Sequence, residues 1–364
     1  MMKLKTLSFK ENLYFSKEKN VWELEELQLG DKILLVGKNA SGKTRIINII
    51  NNLAKIIRGE FTYNKIKDNE WFAEFILEKD KIFKYNLHIK DGKIDKEELY
   101  INKEPLLIRS KNKARIKIVG GNEVDINPPV DKLTIQVRRD EKEYPFLEEL
   151  INWAEGTHGL DFGNTSAKTI ILPQNNRLDS LNIVPSIVNE LNPKSIKEVV
   201  KDFNKLGYDL ESMYSEFLPG IPREFKFLFV KEKGLEHPIS QEYLSDGMYR
   251  ALALIIYVQY MVQNNISEEL FLVDNLSEGL DYDRSSKLLK LLFDKVDKYK
   301  FNFIFTSNDY FLINSVEVKY WNIIYRVGSI TKSYNYKKNK EEFDKFYSSG
   351  LSNLDLFTSN FINK

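Results

Sequence analysis

Residues 32–44, with the sequence KILLVGKNASGKT, constrain the fold of this chain more than any other stretch. A short apolar run ends at Gly37, and the following residues fit the pattern G-x-x-x-x-G-K-[ST] before another apolar segment begins. This order predicts a buried strand, a glycine-rich loop and a helix. The backbone of such a loop curls so that successive N–H groups face one anion, and the helix adds the positive end of its dipole. We therefore predict an α/β P-loop fold that binds ATP.

Each part of this loop has an expected task. Lys43 would reach the β- and γ-phosphates, and the hydroxyl of Thr44 would bind Mg²⁺. Upstream, Tyr14, Phe15 or Trp22 either stacks on the adenine or belongs to the core. The predicted cofactors are ATP and Mg²⁺. The predicted ATP-binding residues of the loop are Gly37, Lys38, Asn39, Ala40, Ser41, Gly42, Lys43 and Thr44.

Composition narrows the class of protein. The 364 residues suffice for one large domain with insertions or for two domains, and 54 Lys+Arg against 53 Asp+Glu give no general basic excess that would indicate nucleic acid. The absence of cysteine excludes disulfides and thiolate metal sites, and with an ATP site it favours the cytoplasm. The N-terminus lacks the apolar segment of a signal peptide, and the apolar stretch 251–262 is too short to cross a bilayer. We expect a cytoplasmic protein without a membrane partner.

The middle of the chain changes character twice. Residues 61–140 contain strand-like runs, one of them at 133–137, separated by turn dipeptides, which predicts an antiparallel β section. Residues 141–235 are predicted to form a mainly helical insertion. The predicted ATPase core is therefore discontinuous, comprising 1–60 and 236–335. A C-terminal tail at 336–364 either packs on this core, which we favour, or forms a docking surface.

A second group of motifs follows the insertion. Ser245 and Gly247 lie at the start of a predicted helix, whose N-terminus is again favourable for an anion. The apolar run 270–273 ends at Asp274, where a carboxylate can hold Mg²⁺ or its water shell. A further helix and an apolar strand lead to Asn308. The chain thus returns to the α/β core after residue 240.

The order of these motifs resembles that of an ABC-class ATPase head. The group most similar in layout is the non-transporter set of OLD-family nucleases, RecF-like and SMC-like ATPases and bacterial defence AAA ATPases. The resemblance covers residues 30–58 and 240–312. It implies a P-loop fold in which the antiparallel β section and the helical insertion lie between the Walker A and signature motifs.

The resemblance also implies roles for the matching residues. An ATP-sandwich homodimer, or a higher homo-oligomer, is the assembly it implies, with the signature motif of one subunit completing the ATP site of another. The Walker B strand would end at Asp274. Gln174 either belongs to a Q-loop that contacts ATP or is a solvated loop residue. The signature motif would consist of Ser245, Asp246 and Gly247, and the D-loop of Gly279, Leu280 and Asp281.

Two residues depart from the family pattern. Asn275 stands where family members usually carry a glutamate general base, and Asn308 stands where they usually carry histidine. An amide orients water but does not accept its proton at neutral pH, and losing a positioned base typically costs about 10²–10⁴ in rate. Glu278 is either a substitute base or a solvated D-loop residue. We expect slow or partner-dependent hydrolysis, with Lys43, Asp274, Asn275, Glu278 and Asn308 as the candidate catalytic residues.

Three functions fit this sequence. The first is a regulatory or motor subunit of a bacterial, anti-phage defence-like complex with a separately encoded effector such as a nuclease, by analogy with the family. The second is a DNA-binding repair or recombination ATPase similar to RecF, with basic residues at 109–117 and 138–139 on nucleic acid phosphates. A basic strand edge that discourages aggregation accounts for the same residues. The third, a transporter nucleotide-binding subunit, is less favoured because the insertion is long.

Overall fold

The computed structural model describes residues 2–13, 20–60, 67–77, 81–160, 184–218, 220, 226–350 and 352–358, which form mixed α/β structure. The strands are β1 (Lys3–Leu13), β2 (Asn20–Gln28), β3 (Lys32–Val36), β4 (Lys67–Ile76), β5 (Ile82–Lys90), β6 (Lys93–Ile101), β7 (Glu104–Ser110), β8 (Lys113–Lys117), β9 (Glu123–Ile126), β10 (Thr157–Leu160), β11 (Leu210–Glu216), β12 (Phe227–Glu232), β13 (Ile239–Ser240), β14 (Leu270–Val273), β15 (Asn302–Thr306), β16 (Trp321–Val327) and β17 (Ile330–Asn335). The helices are α1 (Lys43–Arg58), α2 (Thr134–Val137), α3 (Pro145–Glu155), α4 (Val184–Glu190), α5 (Pro193–Asn204), α6 (Asp246–Gln263), α7 (Tyr282–Tyr299), α8 (Tyr310–Ser315), α9 (Lys340–Ser348) and α10 (Asn353–Thr358).

The chain divides into two compact units. The first comprises Met1–Thr157, Val318–Leu351 and Asp355–Lys364, and the second comprises His158–Glu317 and Ser352–Leu354. In the part of the chain that the structure describes, no helix is both long enough and apolar enough to cross a membrane.

The first unit is built on a sheet that carries the glycine-rich loop at the end of β3. Its strands follow the order β3-β16-β17-β2-β1-β4-β5-β6-β7-β8-β9. β16 runs parallel to β3, and every residue of β3 is buried. Isoleucine and leucine side chains of α1 are buried as well, because this helix packs with most of its surface inside the unit. A buried strand and a buried helix therefore fix both ends of the loop.

Strands β4 to β9 form an antiparallel section, as the sequence predicts. At its centre the carboxylate of Glu97 and the guanidinium of Arg109 form an ion pair at 3.3 Å, and both side chains are fully buried. The hydroxyl of Tyr85 donates to Glu97, and Arg109 donates to the carbonyls of Pro129 and Lys132. The pair therefore fixes the segment that follows β9 against the sheet.

Helix α2 occupies the segment 133–137, where the sequence predicts a strand. The N–H of Thr134 donates to the buried carboxylate of Glu97 at 2.7 Å, and the side chain of Gln136 accepts from the N–H of Leu133 at 2.9 Å. Gln136 also donates to the carbonyl of Ile56 at the end of α1. These tertiary contacts satisfy a helical turn and override the β propensity of the segment, so the strand prediction is wrong here.

The second unit contains a parallel core and a smaller sheet. In its main sheet the order is β10-β14-β15, and β14 runs parallel to β15 with Val273 opposite Phe305. Because parallel strands end at the same edge, the residues after β14 and β15 lie beside each other. Helix α6 is buried on nearly all sides. Strands β11, β12 and β13 form a separate antiparallel sheet in the region of the predicted helical insertion.

Helix α9 packs on the first unit through two aromatic side chains. Phe343 and Phe346 are both buried, and the ring of Tyr334 on β17 stacks on Phe343 with 5.1 Å between centroids. Each ring removes apolar area from water, which stabilises the packing of α9.

Candidate functional site

Two glycines shape the loop between β3 and α1. Gly42 caps α1 with φ of +108°, in the left-handed region that favours glycine. A Cβ on Gly37 would lie 2.4 Å from the carbonyl oxygen of Ile324 and 2.5 Å from Oγ of Ser41, so this position has no room for a side chain. Ala40 is also left-handed, with φ of 62°. The loop is therefore tightly curled, as a phosphate-binding loop requires. We call residues 37–44 the phosphate cradle.

Lys43 is folded into the phosphate cradle. Its side chain is buried, and Nζ donates to the carbonyl oxygen of Gly37 at 2.6 Å and to that of Lys38 at 3.3 Å. Lys38, Asn39 and Ala40 are exposed at the tip of the loop. The carbonyl groups thus hold the ammonium group within the curl of an exposed loop.

The N-terminus of α1 is chemically suited to an anion. No side chain caps it, and its first turn contains no acidic residue. The first N–H groups of a helix have no intrahelical acceptor, and they carry the positive end of the dipole. Thr44 is exposed in this turn, and the buried hydroxyl of Ser41 makes no hydrogen bond within the described residues. The cradle therefore offers the N–H groups of an uncapped helix end, the hydroxyl of Ser41 and the ammonium group of Lys43.

Trp22 belongs to the core rather than to an adenine site. It is buried, and the guanidinium of Arg45 lies 3.9 Å from its ring centroid while forming an ion pair with Glu11. Burial lowers the pKa of Arg45, although the neighbouring carboxylate of Glu11 opposes this shift. Tyr14 and Phe15 lie outside the described residues.

Asp274 follows β14 and is held by the end of β15. Thr306 donates its hydroxyl to Oδ1 of Asp274 at 2.6 Å, and the hydroxyl oxygen of Thr306 accepts the N–H of Asn275 at 2.8 Å. Asn275 has φ of 56°, a left-handed conformation that asparagine tolerates better than most residues. Its side chain is partly exposed and makes no hydrogen bond among the described residues. The orientation of the Asp274 carboxylate is therefore fixed, whereas the side-chain amide of Asn275 has no hydrogen-bond partner among the described residues.

The residues predicted to form the signature motif and the D-loop contact each other in the second unit. Ser245 caps α6 by accepting the N–H of Met248 at 3.2 Å, and Ser245 and Asp246 are exposed. A Cβ on Gly247 would lie 1.9 Å from the carbonyl oxygen of Gly279, so the two backbones touch. This contact links the start of the signature helix to the D-loop.

An ion pair lies beside this backbone contact. Nη1 of Arg250 lies 2.8 Å from Oε2 of Glu278. Glu278, the candidate substitute base, therefore has its carboxylate engaged with a cation of the signature helix. Sequence reasoning missed Arg250, although its position one turn after Gly247 placed it on the same helix.

Of the remaining predicted site residues, those that the structure describes lie near the ends of strands or helices. Asp281 caps α7 by accepting the N–H of Arg284 at 2.9 Å, and this hydrogen bond, with the adjacent guanidinium, lowers the pKa of Asp281. Leu280 donates its N–H to the carbonyl of Ser277. Asn308 is exposed directly after β15. Gln174 lies outside the described residues.

These features define an ABC-like P-loop ATPase fold. The chain belongs to the AAA domain family described as "AAA domain, putative AbiEii toxin, Type IV TA system", whose model matches residues 33–314. A search of curated proteins finds no match to the sequence.

Solved structures place the fold among SMC head domains. An SMC head bound to the C-winged helix domain of ScpA is 13% identical over 93% of this chain and 99% of that chain, with a TM-score of 0.55. A head domain with an extended coiled coil bound to the C-terminal domain of ScpA, derived from Pyrococcus furiosus, is 12% identical over 95% and 100%, with a TM-score of 0.53. Together with the family match, this likeness confirms the predicted fold class and the predicted SMC- and RecF-like group.

Proposed function

We propose that the phosphate cradle binds the triphosphate of ATP and that ATP binding brings two copies of the chain together. The phosphate cradle is the observation that supports this most strongly. Its uncapped helix end, the buried ammonium of Lys43 and the steric exclusion of a side chain at Gly37 all favour a compact polyanion. A helix end that merely terminated a fold would gain stability from a capping side chain, which this one lacks.

The donor set also fits Mg²⁺. Thr44 presents an exposed hydroxyl and Asp274 a partly exposed carboxylate, and both are hard oxygen donors of the kind that Mg²⁺ prefers. The family resemblance assigns both residues to the ion. When bound, Mg²⁺ would neutralise charge on the β- and γ-phosphate oxygens. The chain's own part is to orient the Asp274 carboxylate and to hold the ammonium group of Lys43 within the phosphate cradle.

Slow hydrolysis follows from the residues around Asp274. Asn275 has an available amide that orients water without accepting its proton, and Glu278 is engaged with Arg250. The loss of a positioned base typically lowers a rate by about 10²–10⁴. We therefore propose a nucleotide-dependent switch with weak or partner-dependent turnover.

The exposed start of α6 supports association through ATP. Ser245 and Asp246 are exposed at the N-terminus of an 18-residue helix, where a phosphate bound to another copy would meet the positive end of the helix dipole. Shifting an equilibrium from 1:99 to 99:1 requires about 5.5 kcal/mol of differential affinity. A triphosphate clamped between two surfaces supplies more of this energy than a diphosphate does, because it carries more charge to share.

The comparisons support a role alongside another protein. The similar SMC heads are described as bound to ScpA domains, and the family description names a putative toxin of a type IV TA system. We propose that this chain is the cytoplasmic regulatory subunit of a bacterial defence-like complex, acting with a separately encoded effector such as a nuclease. Its own ATP-driven association would then control that effector.

The second candidate function is a DNA-binding repair ATPase. Several of the basic residues at 109–117 and 138–139 are paired with carboxylates, which argues against this function. Arg109 is fully buried against Glu97, so it is inaccessible to phosphates. Among the exposed members, Arg115 pairs with Asp125 at 3.0 Å and Arg139 with Glu148 at 2.8 Å. This local neutralisation fits a charged strand edge better than a phosphate-binding surface.

Nucleotide binding is the direct test of the phosphate cradle. Binding of a slowly hydrolysed ATP analogue with Mg²⁺, measured by calorimetry, should weaken about 10- to 100-fold in Lys43→Ala, because a hydrogen bond from a charged group is lost. Lys55→Ala, on the same helix, is the matched control and should bind like the unmodified chain. Equal affinity in all three proteins would overturn the proposed site.

A further inference from the structure

The end of β15 holds the segment that follows β14 through several hydrogen bonds. Thr306 donates to Asp274 at 2.6 Å, accepts from Asn275 at 2.8 Å, and its carbonyl accepts the N–H of Leu276 at 2.9 Å. The next residue, Ser307, shares a hydrogen bond of 2.7 Å with the hydroxyl of Ser277.

The hydroxyl of Thr306 acts on two groups at once. An O–H···O⁻ bond to a carboxylate is charge-assisted and therefore stronger than a neutral one, so it fixes the rotation of the Asp274 side chain. Because it engages Oδ1, the second carboxylate oxygen is left for a ligand. The same hydroxyl oxygen accepts the N–H of Asn275 and stabilises the left-handed conformation there. Thr306 itself is only 2% exposed, so its position is set by the core.

We propose that Thr306 is a positioning residue for the divalent cation, acting through Asp274. This inference rests on the proposed ATP and Mg²⁺ site. A carboxylate that is already oriented binds a cation without losing rotational freedom, and hydrogen-bond partners of metal-binding carboxylates typically contribute about 10- to 100-fold to metal affinity or activity. A backbone role alone would leave the metal dependence of nucleotide binding unchanged.

The test compares Thr306→Val with Thr306→Ser. Valine has nearly the same shape but no hydroxyl, whereas serine keeps the donor and the acceptor. The measurement is the Mg²⁺ concentration that gives half of the metal-dependent gain in affinity for a fluorescent ATP analogue. In Thr306→Val this concentration should rise about 10-fold or more. In Thr306→Ser it should stay within about twofold, and affinity without Mg²⁺ should be unchanged in both because the phosphate cradle is intact.

Thr157→Val is the matched control. Thr157 is a buried threonine whose hydroxyl donates to the carbonyl of Trp153 at 2.8 Å, so the variant loses a comparable hydrogen bond in the first unit. Its Mg²⁺ dependence should match the unmodified chain. If Thr306→Val does not fold, Thr306→Cys replaces it. Because a thiol is a weak donor, this variant should need a higher Mg²⁺ concentration than Thr306→Ser for half of the gain in affinity.

The outcomes separate this inference from the proposed function. An unmodified chain that binds the analogue with a clear Mg²⁺ dependence, together with an unshifted Thr306→Val, would overturn the role of Thr306 alone. An equal shift in Thr306→Ser and Thr306→Val would also overturn it, because the hydroxyl would then be irrelevant. An unmodified chain that binds no analogue at any Mg²⁺ concentration would overturn the proposed function and this inference together.

Discussion

Arg250 on the signature helix and Glu278 before the D-loop form an ion pair, with 2.8 Å between Nη1 and Oε2. Beside it, the backbones of Gly247 and Gly279 touch. The pair joins the start of α6 to the segment before the predicted D-loop. It also gives Glu278 a structural partner, which argues against a role as the base that replaces the glutamate absent at Asn275.

Removing the charge of Glu278 should therefore affect stability slightly and chemistry little. We expect Glu278→Gln to keep ATP turnover within about threefold, because the lost pair is partly exposed and such pairs contribute about 0.2–1 kcal/mol. Steady-state turnover with saturating Mg²⁺ is the measurement, with Glu242→Gln, an exposed residue outside the pair, as control. A loss of 100-fold in turnover with unchanged ATP affinity would instead identify Glu278 as a base.

Substitution of Gly247 should disrupt the contact between signature helix and D-loop. Alanine is normally the better helix residue, yet its Cβ would lie 1.9 Å from the carbonyl oxygen of Gly279. We expect Gly247→Ala to lower the free energy of unfolding by about 1–3 kcal/mol through overpacking. Gly30→Ala is the control, because a Cβ there would have its nearest neighbour at 3.8 Å, an ordinary contact. Equal urea midpoints for both variants would contradict the close approach.

A carboxylate at position 275 should accelerate hydrolysis. Asn275 is left-handed, with φ of 56°, and aspartate tolerates this conformation whereas glutamate is strained there. We therefore expect Asn275→Asp to raise turnover, and Asn275→Glu to raise it as well at the expense of about 1 kcal/mol of stability. Single-turnover rates in the presence of Mg²⁺ measure the effect. Rates no higher than those of the unmodified chain in both variants would exclude base loss as the cause of slow turnover.

Acid should weaken a buried charge cluster in the second unit. Burial alone would raise the pKa of Asp202, but hydrogen bonds from Lys205 and Lys295 outweigh it and lower the pKa below the ordinary 3.8. The stabilisation from Asp202 is therefore fully present above pH 3.8 and is lost as the pH falls through the lower folded-state pKa.

The corresponding variant is Asp202→Asn. Near neutral pH it should lose about 3 kcal/mol of unfolding free energy, because the half-buried ammonium of Lys295 loses its carboxylate partner, and the difference should narrow below pH 3.8. Urea unfolding of the unmodified chain and of Asp202→Asn, from neutral pH to below pH 3.8, measures this difference in stability. Asp125→Asn, which removes an exposed partner of Arg115, should change stability by at most about 1 kcal/mol. A loss of unfolding free energy in Asp202→Asn that became larger as the pH fell would contradict the prediction.

The parts of the site that depend on local sequence were predictable. The strand before Gly37, the left-handed glycine at 42 and the cap at Ser245 follow from residue types within a few positions of each other, and the structure has all three elements. Local patterns are informative there because glycine, serine and apolar runs each restrict the backbone of their own segment.

The pairings between distant residues were not predictable in the same way. Glu97 and Arg109 meet across two strands, and Glu97 also caps α2, which reversed the strand expected at 133–137. Thr306 meets Asp274 only because β14 and β15 are parallel neighbours. Sequence spacing gives no signal for such contacts, since they depend on which strands lie side by side.

Molar mass in the presence of nucleotide tests the central claim most directly. Light scattering on the purified chain with Mg²⁺ should give the mass of two copies with a slowly hydrolysed ATP analogue, whereas ADP should leave a larger fraction as single copies. Lys43→Ala should stay at the mass of one copy, 42.7 kDa, with either nucleotide. A mass that is identical with the ATP analogue, with ADP and without nucleotide would contradict ATP-driven association.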